Sequence, residues 1–420
     1  MQSSRGRIMA QMLDAAENAS PVEAVEAVTR ELGAALGARS VAFLIADLSG
    51  RALVRLAHVP LEGAGAGDGR RDGDEVATVM PFDGGPAEQA LRSQTAQVLA
   101  QPDGWTVLAP VTDRGEAIGL LEMTLPDEPA PPTLQEIART AHALAFVVIA
   151  NRRYTDLFEW GQRTTPFTLS GEIQRRLLPA SFTCESSAFT LSGWLEPAAS
   201  VGGDTFDYSL ARDVLHFSVT DAMGHGVASA LTATLGVGSL RNSRRRAVGL
   251  VAQADAADAD VAANAAVPGS YITAILGRLD LRTGVCALLN AGHVPPLLVR
   301  DGDIRALPLP ANFPLGMFAG TGYRAGEIAL RPGDRLVVLT DGMRERNAAN
   351  LDLPNMLRAI AHLHPREAVR ALADAALEVS GPTLADDATL FILDWHGGHS
   401  EDRRSSAGAD QARASTALPD

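Results

Sequence analysis

One stretch near the middle of the chain restricts the fold more than any other. An apolar run over residues 214–219 leads into the carboxylate of Asp221 and a turn with two glycines, and an Ala-rich run follows over 227–233. This pattern predicts a strand, a turn at which backbone or ligand can come close, and then a helix. Three further acidic turns stand at predicted strand ends and are expected to serve the same site: Asp204, Asp341 and Asp386.

Length and charge exclude several classes of protein. The 420 residues, 46% of them apolar, are enough for two or three domains with their own cores. A net charge of −14 argues against nucleic acid as the main partner. Cys184 and Cys286 are isolated, so we expect neither a disulfide framework nor a cysteine metal site. No run reaches the roughly 20 apolar residues of a membrane helix, and no signal core is evident. A cytoplasmic protein without a membrane partner is predicted.

The chain contains no lysine, so every basic side chain other than histidine is arginine. This excludes the phosphate-binding lysine of P-loop enzymes, the strand lysine of kinases and Schiff-base chemistry. No Gly-x-Ser-x-Gly nucleophile turn is present either. Phosphate chemistry in this chain must therefore depend on arginine, backbone amides or metal ions.

The N-terminal third has a pattern of helices and hairpins. After an N-terminal arm over residues 1–20, the order is helix, hairpin, loop, helix, hairpin, helix. The Gly-, Asp- and Arg-rich segment 63–74 lacks phosphate-loop spacing and is predicted to be a mobile loop. Residues 21–152 resemble a GAF-like α/β sensor domain, which implies an unknown small ligand. The lone histidines His58 and His142 are expected to be structural rather than haem ligands.

A helix from residue 134 carries apolar and small residues at heptad spacing as far as residue 158. Two interpretations stay open. The helix closes the sensor domain by packing on its own sheet, or residues 134–160 form a parallel homodimer in which Asn151 sets the register. Residues 153–180 are predicted to be a helical linker that ends in a short amphipathic helix over 167–179, terminated before Pro179.

The four acidic turns share a chemistry. Oxygen ligands without histidine or cysteine suit Mg²⁺ or Mn²⁺ rather than zinc. Two such ions about 4 Å apart activate a water molecule and stabilise in-line displacement at phosphorus. A single Asp-Gly pair is more often a hairpin turn, but four acidic turns at strand ends favour a metal site.

Seven motifs occur in order and identify a family. They closely resemble the SpoIIE-like branch of the metal-dependent (type 2C) protein phosphatases, over about residues 170–395. The resemblance implies an α+β fold for domain 181–396, namely an α-β-β-α sandwich of two antiparallel sheets flanked by helices. Residues 397–420 are predicted to be a disordered tail. The motifs are Gly202-Gly203-Asp204, Asp221 with Gly224-His225-Gly226, Ala291-Gly292-His293, Pro314-Leu315-Gly316, Pro332-Gly333-Asp334, Thr340-Asp341-Gly342 and Asp386-Asp387 with Thr389.

The resemblance also implies roles for individual residues. Asp221 would bridge two Mn²⁺ or Mg²⁺ ions, and the Ala222 carbonyl would bind one of them. Asp204 would belong to the second ion, whereas Asp341 and Asp386 would hold the first. Asp221 and Asp204 are accordingly the predicted catalytic residues. The general acid stays open, with His225 and His293 as candidates, although packing in a tight turn is the favoured role for both. Candidate phosphate-binding arginines are Arg212, Arg344 and Arg346.

The expected activity is hydrolysis of phosphoserine or phosphothreonine on a regulatory protein by a water molecule activated by two metal ions. The resemblance implies a phosphorylated anti-anti-sigma (STAS) protein as substrate. It also implies a switch helix, residues 172–178, through which the sensor domain regulates the metal site. The alternatives are a catalytically degenerate binding module and a two-metal hydrolase of small phosphoesters. The Ala- and Asp-rich stretch 253–266 departs from the family pattern.

Overall fold

The computed structural model describes residues 2–58, 70–72, 75–196, 202–318, 320–343, 352–380, 387–398, 405 and 407–415. The chain divides into two units, Met1–Pro166 with Arg404–Asp420, and Phe167–Arg403. The predicted 153–180 linker therefore falls partly in each unit. Among the described residues, no helix is both long enough and apolar enough to cross a membrane.

The N-terminal unit is built on a seven-stranded antiparallel sheet with the order β3-β4-β2-β1-β7-β6-β5. Its helices are α1 (Gln2–Asn18), α2 (Ala24–Leu36), α3 (Pro86–Ser93), α4 (Pro131–Asn151) and α5 (Leu157–Gln162). Its strands are β1 (Ser40–Ala46), β2 (Ala52–His58), β3 (Arg70–Asp72), β4 (Glu75–Pro81), β5 (Gln97–Gln101), β6 (Gly104–Asp113) and β7 (Glu116–Leu125).

Sequence patterns predicted part of this unit. The sequence pattern predicts strands over 40–46 and 52–58 and a helix over 86–93, and β1, β2 and α3 have these boundaries. It also predicts that the helix after Pro21 ends at Gly37, and α2 ends there with Gly37 in the left-handed conformation. No pattern predicted β3, β4 or β5. Strands β3 and β5 have only three and five residues, and β4 has seven residues but no regular alternation of apolar residues. The predicted N-terminal arm forms helix α1, whose Met12 is buried in the core of the unit. The resemblance to a GAF domain stays a prediction.

The residues of helix α4 that follow the heptad spacing pack inside the N-terminal unit. Ile137, Ala141, Leu144 and Val148 are all buried in the same core as α2 and the sheet. These side chains cannot at the same time form the seam of a coiled coil. The structure therefore favours the first of the two interpretations, a helix packed on its own sheet, over a homodimer through residues 134–160.

Part of the predicted disordered tail is ordered. The Gly408 carbonyl accepts a hydrogen bond from Gly115 N, and Gln411 donates to the Gln94 carbonyl. Ala409 is almost completely buried. The prediction of disorder is therefore wrong for residues 407–415, because small and polar side chains of this segment pack against the N-terminal unit.

The C-terminal unit contains two six-stranded sheets. The first has the order β10-β11-β12-β13-β16 with β17 also paired to β13, and the second has the order β15-β14-β18-β19-β9-β8. Helices are α6 (Leu169–Leu177), α7 (Gly226–Arg245), α8 (Leu250–Asn264), α9 (Leu353–Ala359) and α10 (Pro365–Ser380). Strands are β8 (Thr183–Glu185), β9 (Phe189–Glu196), β10 (Asp204–Leu210), β11 (Val214–Ala222), β12 (Ile272–Asp280), β13 (Val285–Ala291), β14 (Leu297–Arg300), β15 (Asp303–Ala306), β16 (Ala311–Asn312), β17 (Gly326–Ala329), β18 (Arg335–Leu339) and β19 (Ala388–Trp395).

The two sheets enclose a shared core. Phe217 of the first sheet stacks on Phe391 of the second, with ring centroids 5.2 Å apart. Helices α7 and α8 cover the outer face of the first sheet, and α9 and α10 cover that of the second. The predicted α+β class is confirmed. Helix α6 begins after Thr168, whose hydroxyl accepts a hydrogen bond from Gly171 N.

Candidate metal centre

Two predicted site residues lie directly opposite each other on neighbouring strands. The β10–β11 ladder pairs Asp204 with Asp221. Directly paired residues of an antiparallel sheet project their side chains to the same face, with Cα atoms about 5 Å apart. Like charges at such positions destabilise a sheet. The hairpin therefore holds two carboxylates side by side at one end of the first sheet.

The surroundings of Asp204 destabilise the ionised form of its carboxyl group. The side chain is buried, and its Oδ2 accepts a hydrogen bond of 2.6 Å from the Thr340 hydroxyl. Burial raises the pKa of Asp204 well above its usual range, and the nearby carboxylates of Asp221 and Asp387 raise that pKa further. Ionised Asp204 therefore needs a positive charge close to it.

Two glycines allow the backbone at this site to pack closely. A Cβ atom on Gly203 would lie 2.5 Å from the Ala222 carbonyl oxygen. A Cβ atom on Gly342 would lie 1.9 Å from the Asp387 carbonyl oxygen. Neither approach tolerates a side chain, so both glycines are required by contact between segments rather than by turn geometry alone.

The Ala222 carbonyl is partly satisfied. It accepts a hydrogen bond of 3.0 Å from the Ser229 hydroxyl in the first turn of α7. A carbonyl oxygen has two lone pairs, so one remains available for a metal ion or a water molecule. The predicted role of Ala222 is compatible with this geometry.

Of the other two predicted ligands, the structure describes only Asp341. Asp341 is exposed in the 3-10 turn Asp341–Met343, which is separated from the end of β18 by one residue. Its charge acts on His293, so the two side chains lie near each other. Asp386 lies outside the described residues. In the part of the chain that the structure describes, no three His, Cys, Asp or Glu side chains form a group that could hold a metal ion.

The chemistry of these donors nevertheless fits a hard divalent cation. Asp204, Asp221 and the Ala222 carbonyl offer oxygen atoms only, which favours Mg²⁺ or Mn²⁺. The raised pKa of Asp204 supports the same conclusion, because a bound cation would offset the repulsion between the neighbouring carboxylates.

Comparison with known proteins identifies the domain that carries these residues. Residues 211–396, less than half of the chain, match the family model described as Stage II sporulation protein E (SpoIIE). The C-terminal unit is thus similar to the SpoIIE family over these residues. Asp204 and α6 precede the matched residues, and the structure joins them to that part of the chain.

Individual relatives are distant. Phosphoserine phosphatase RsbU of Bacillus subtilis is 23% identical over 235 residues, which cover 54% of this chain and 68% of RsbU. Protein IcfG of Synechocystis is 22% identical over 201 residues, 41% of this chain and 32% of IcfG. The chain thus spans about a third of the length of IcfG. The SiaA-PP2C domain of Pseudomonas aeruginosa has 24% identity and a TM-score of 0.46, covering 53% of this chain and 93% of that domain.

Two residues of the candidate site were missed by sequence reasoning. Gln174 on α6 is 1% exposed and donates to Asp387 Oδ2 at 2.8 Å and to the Asp204 carbonyl at 2.7 Å. Asp387 Oδ2 also accepts from Gly202 N at 3.1 Å. Asp387 stands beside the predicted ligand Asp386 in sequence, which was a usable signal. Gln174 is one of the polar residues of the predicted amphipathic helix 167–179, and no local pattern distinguishes a buried glutamine from an exposed one.

The two candidate histidines differ in environment. His225 is exposed at the residue before α7. His293 is buried, and its Nδ1 lies 3.0 Å from the Val294 carbonyl, so Nδ1 carries the proton. Burial lowers the pKa of His293. Its Nε2 has no hydrogen-bond partner among the described residues and is therefore available as an acceptor.

The candidate phosphate-binding arginine Arg212 is wrong for this site. It lies in the turn between β10 and β11, whereas Asp204 is at the opposite end of β10. Six strand residues separate the two by about 20 Å. Arg344 and Arg346 lie outside the described residues.

Proposed function

We propose that this chain is a metal-dependent protein serine/threonine phosphatase. The observation that carries the proposal is the direct pairing of Asp204 with Asp221, close to Asp387 and at the edge of a sheet sandwich. Repulsion among these carboxylates lowers stability unless a cation is bound. The match to the SpoIIE family supports the same function.

Two Mn²⁺ or Mg²⁺ ions would be held by Asp204, Asp221, the Ala222 carbonyl, Asp341 and Asp386. When bound, such ions lower the pKa of water and neutralise charge on a transferring phosphoryl group. The protein residues around them fix the site. Thr340 orients the Asp204 carboxylate by its hydrogen bond, and Ser229 orients the Ala222 carbonyl. His293 offers a buried acceptor nitrogen near Asp341.

The substrate class is proposed from the relatives. RsbU is named a phosphoserine phosphatase, which supports phosphoserine or phosphothreonine on a protein. A phosphorylated STAS-type protein is the specific substrate that we infer. Retention of both Asp204 and Asp221 argues against a degenerate module that only binds a partner.

Regulation is proposed to act through α6, the first helix of the C-terminal unit. Gln174 connects this helix to Asp387 and to the Asp204 backbone, so a shift of α6 would move two site segments together. Arg241 of α7 donates to the Leu177 carbonyl and fixes the C-terminal end of α6. A signal that favours one position of α6 would change metal affinity.

The signal is proposed to be a small molecule bound by the N-terminal unit. That unit contains a cavity of about 560 Å³ between α2 and the first strands, a volume within the range of small-molecule sites. Apolar walls such as Val25 and Phe43 and charged groups such as Arg30 and Glu26 line it. An amphipathic ligand would suit this lining.

Hydrolysis of p-nitrophenyl phosphate and of a phosphoserine peptide tests the proposed function. We expect Mn²⁺-dependent turnover by the full chain and its near-complete loss in Asp204→Asn and Asp341→Asn. Asp213→Asn, in the turn at the far end of β10, is the matched control and should retain activity. Equal activity in all four proteins would reject the metal assignment, and no activity in wild type with Mn²⁺ would reject the function.

A further inference from the structure

The loop before β17 exposes two aromatic side chains close to the candidate metal centre. Phe313 and Phe318 are 51% and 52% exposed, and their rings contact edge to face with centroids 4.8 Å apart. Single exposed apolar residues are ordinary, but two large rings that contact each other edge to face in solvent form a ready contact for a partner.

The loop is held in place by a buried carboxylate. Asp258 of α8 is 2% exposed and accepts hydrogen bonds from Gly316 N at 2.7 Å, Gly320 N at 3.1 Å and the Tyr323 hydroxyl at 3.1 Å. Asp258 belongs to the Ala- and Asp-rich stretch that departs from the family pattern. Three donors on one carboxylate order the loop, so the exposed rings lose little entropy when a partner binds.

Strand pairing places this loop at the same sheet edge as the metal centre. Ala222 pairs with Ile272, and Ile272 exchanges two hydrogen bonds with Leu315, of 2.9 and 2.8 Å. Two strand spacings separate Leu315 from Ala222, which is about 10 Å. The Phe313–Phe318 pair therefore lies within the footprint of any folded protein that presents a phosphoserine to Asp204 and Asp221.

Further exposed apolar side chains continue the surface. Met223 is 41% exposed, and its backbone N–H donates to the Tyr271 carbonyl, next to Ile272. Val267 is 44% exposed, and its carbonyl accepts from Ser270 N. We call Met223, Val267, Phe313 and Phe318 the rim patch.

We propose that the rim patch is the docking surface for the phosphoprotein substrate, with Phe313 and Phe318 as its main contact. This inference rests on the proposed phosphatase function. The occupant is a folded protein that carries an apolar surface beside its phosphoserine. The two rings lie too far from the metal centre to be contacted by the phosphorylated side chain alone, but they lie within the width of a protein interface. Asp258 is a positioning residue that acts through the loop.

The test compares three substrates with the full chain and the double variant Phe313→Ala/Phe318→Ala. The substrates are a serine-phosphorylated STAS-domain protein, a short peptide with the same phosphoserine, and p-nitrophenyl phosphate. We expect KM for the protein to rise at least about tenfold, as for loss of an aromatic interface anchor, with kcat unchanged. Both small substrates should be hydrolysed as by wild type. Leu210→Ala, an exposed apolar residue at the far end of β10, is the control.

The outcomes separate this inference from the proposed function. Unchanged KM for the protein substrate overturns the docking role even when activity is intact. An equal loss on all three substrates also overturns it, because the pair would then support the site itself. No hydrolysis of p-nitrophenyl phosphate by wild type instead rejects the phosphatase function.

Binding provides a second measurement that does not depend on turnover. Affinity of the Asp221→Asn chain for the phosphoprotein is measured by calorimetry with and without the two Phe→Ala substitutions. We expect a loss of at least about tenfold. Equal affinity would contradict the proposal. Sedimentation of the chain as a dimer that the two Phe→Ala substitutions dissociate would also contradict it, because a second copy of the chain would then cover the rim patch.

Discussion

Two aspartates on β10, three residues apart, have opposite electrostatic surroundings. Asp204 and Asp207 are 3% and 4% exposed. Asp207 accepts hydrogen bonds from Arg241 and Arg244, whereas Asp204 faces Asp221 across the ladder. Burial alone therefore does not distinguish a structural carboxylate from one that serves a site. The distinction lies in whether the protein itself supplies the opposite charge.

Asp221→Asn would test the pair of opposed carboxylates in this comparison, Asp204 and Asp221. Activity with Mn²⁺ should fall by roughly a thousandfold, because the proposed metal centre would lose one of its charged ligands. Without metal, the melting temperature should rise, because one of two opposed carboxylates becomes neutral. Enzyme assay and thermal unfolding in chelator measure the two effects. A lower melting temperature of the variant in chelator would contradict the claim that repulsion between Asp204 and Asp221 destabilises the metal-free fold.

Asp207→Ala should have the opposite effect on stability. Removal of the carboxylate leaves Arg241 and Arg244, with side chains 23% and 15% exposed, without their main partner. The free energy of unfolding should fall by about 3 kcal/mol, as for a broken buried ion pair. Urea unfolding measures this change in the presence of chelator. A variant as stable as wild type would show that Asp207 is not structural.

Gln174→Ala would test whether a neutral side chain that holds Asp204 and Asp387 in place contributes to metal binding. Affinity for Mn²⁺ should weaken about tenfold, because residues that orient metal ligands have effects of this size. Calorimetric titration with Mn²⁺ measures it. Glu172→Ala on the same helix is the control, since that side chain pairs with Arg176 on the surface. Equal affinities in the two variants would remove Gln174 from the site.

A third buried carboxylate pairs with a histidine. Glu185 of β8 accepts a hydrogen bond from His364 Nε2 at 3.1 Å, and both side chains are 1% exposed. Burial lowers the pKa of His364, while Glu185 raises it. Arg366 N donates to His364 Nδ1, so the imidazole in the fold is neutral.

The stability of the C-terminal unit should consequently depend on pH. The unfolded chain takes up a proton on His364 below about pH 6.5, and the folded chain does so only at lower pH. The stabilisation is therefore complete above pH 6.5 and falls with decreasing pH, by about 1.4 kcal/mol per pH unit for one proton. Urea unfolding from pH 7.5 to 5 should show a shallower slope for His364→Gln. Parallel slopes would contradict this assignment.

The sequence predicts the parts of the site that local patterns encode. Asp221 follows an apolar run and precedes glycines, and Asp204 follows a Gly-Gly pair, so both could be found from neighbouring residues. Gln174 could not, because its partners Asp204 and Asp387 are 30 and 213 residues away. Thr340 likewise reaches Asp204 across 136 residues. Contacts of this kind arise from the topology of the sandwich.

Periodicity and composition also left two questions that only packing could answer. The heptad spacing of α4 identifies an apolar face but does not say whether a sheet or a second helix covers it. In the structure Ile137 and Leu144 are covered by the unit's own core. The polar C-terminal segment lacks an apolar run, yet Ala409 and Asp410 are buried, because backbone hydrogen bonds rather than large side chains hold it.

The ordered segment 407–415 has a consequence for how such proteins recombine. The polypeptide crosses from the first unit to the second near residue 166 and returns to the first before residue 407. A single genetic crossover between the two modules would leave this segment attached to the wrong parent. Exchange of the N-terminal module among relatives would need either two crossovers or a replacement module that folds without a returning C-terminal peptide.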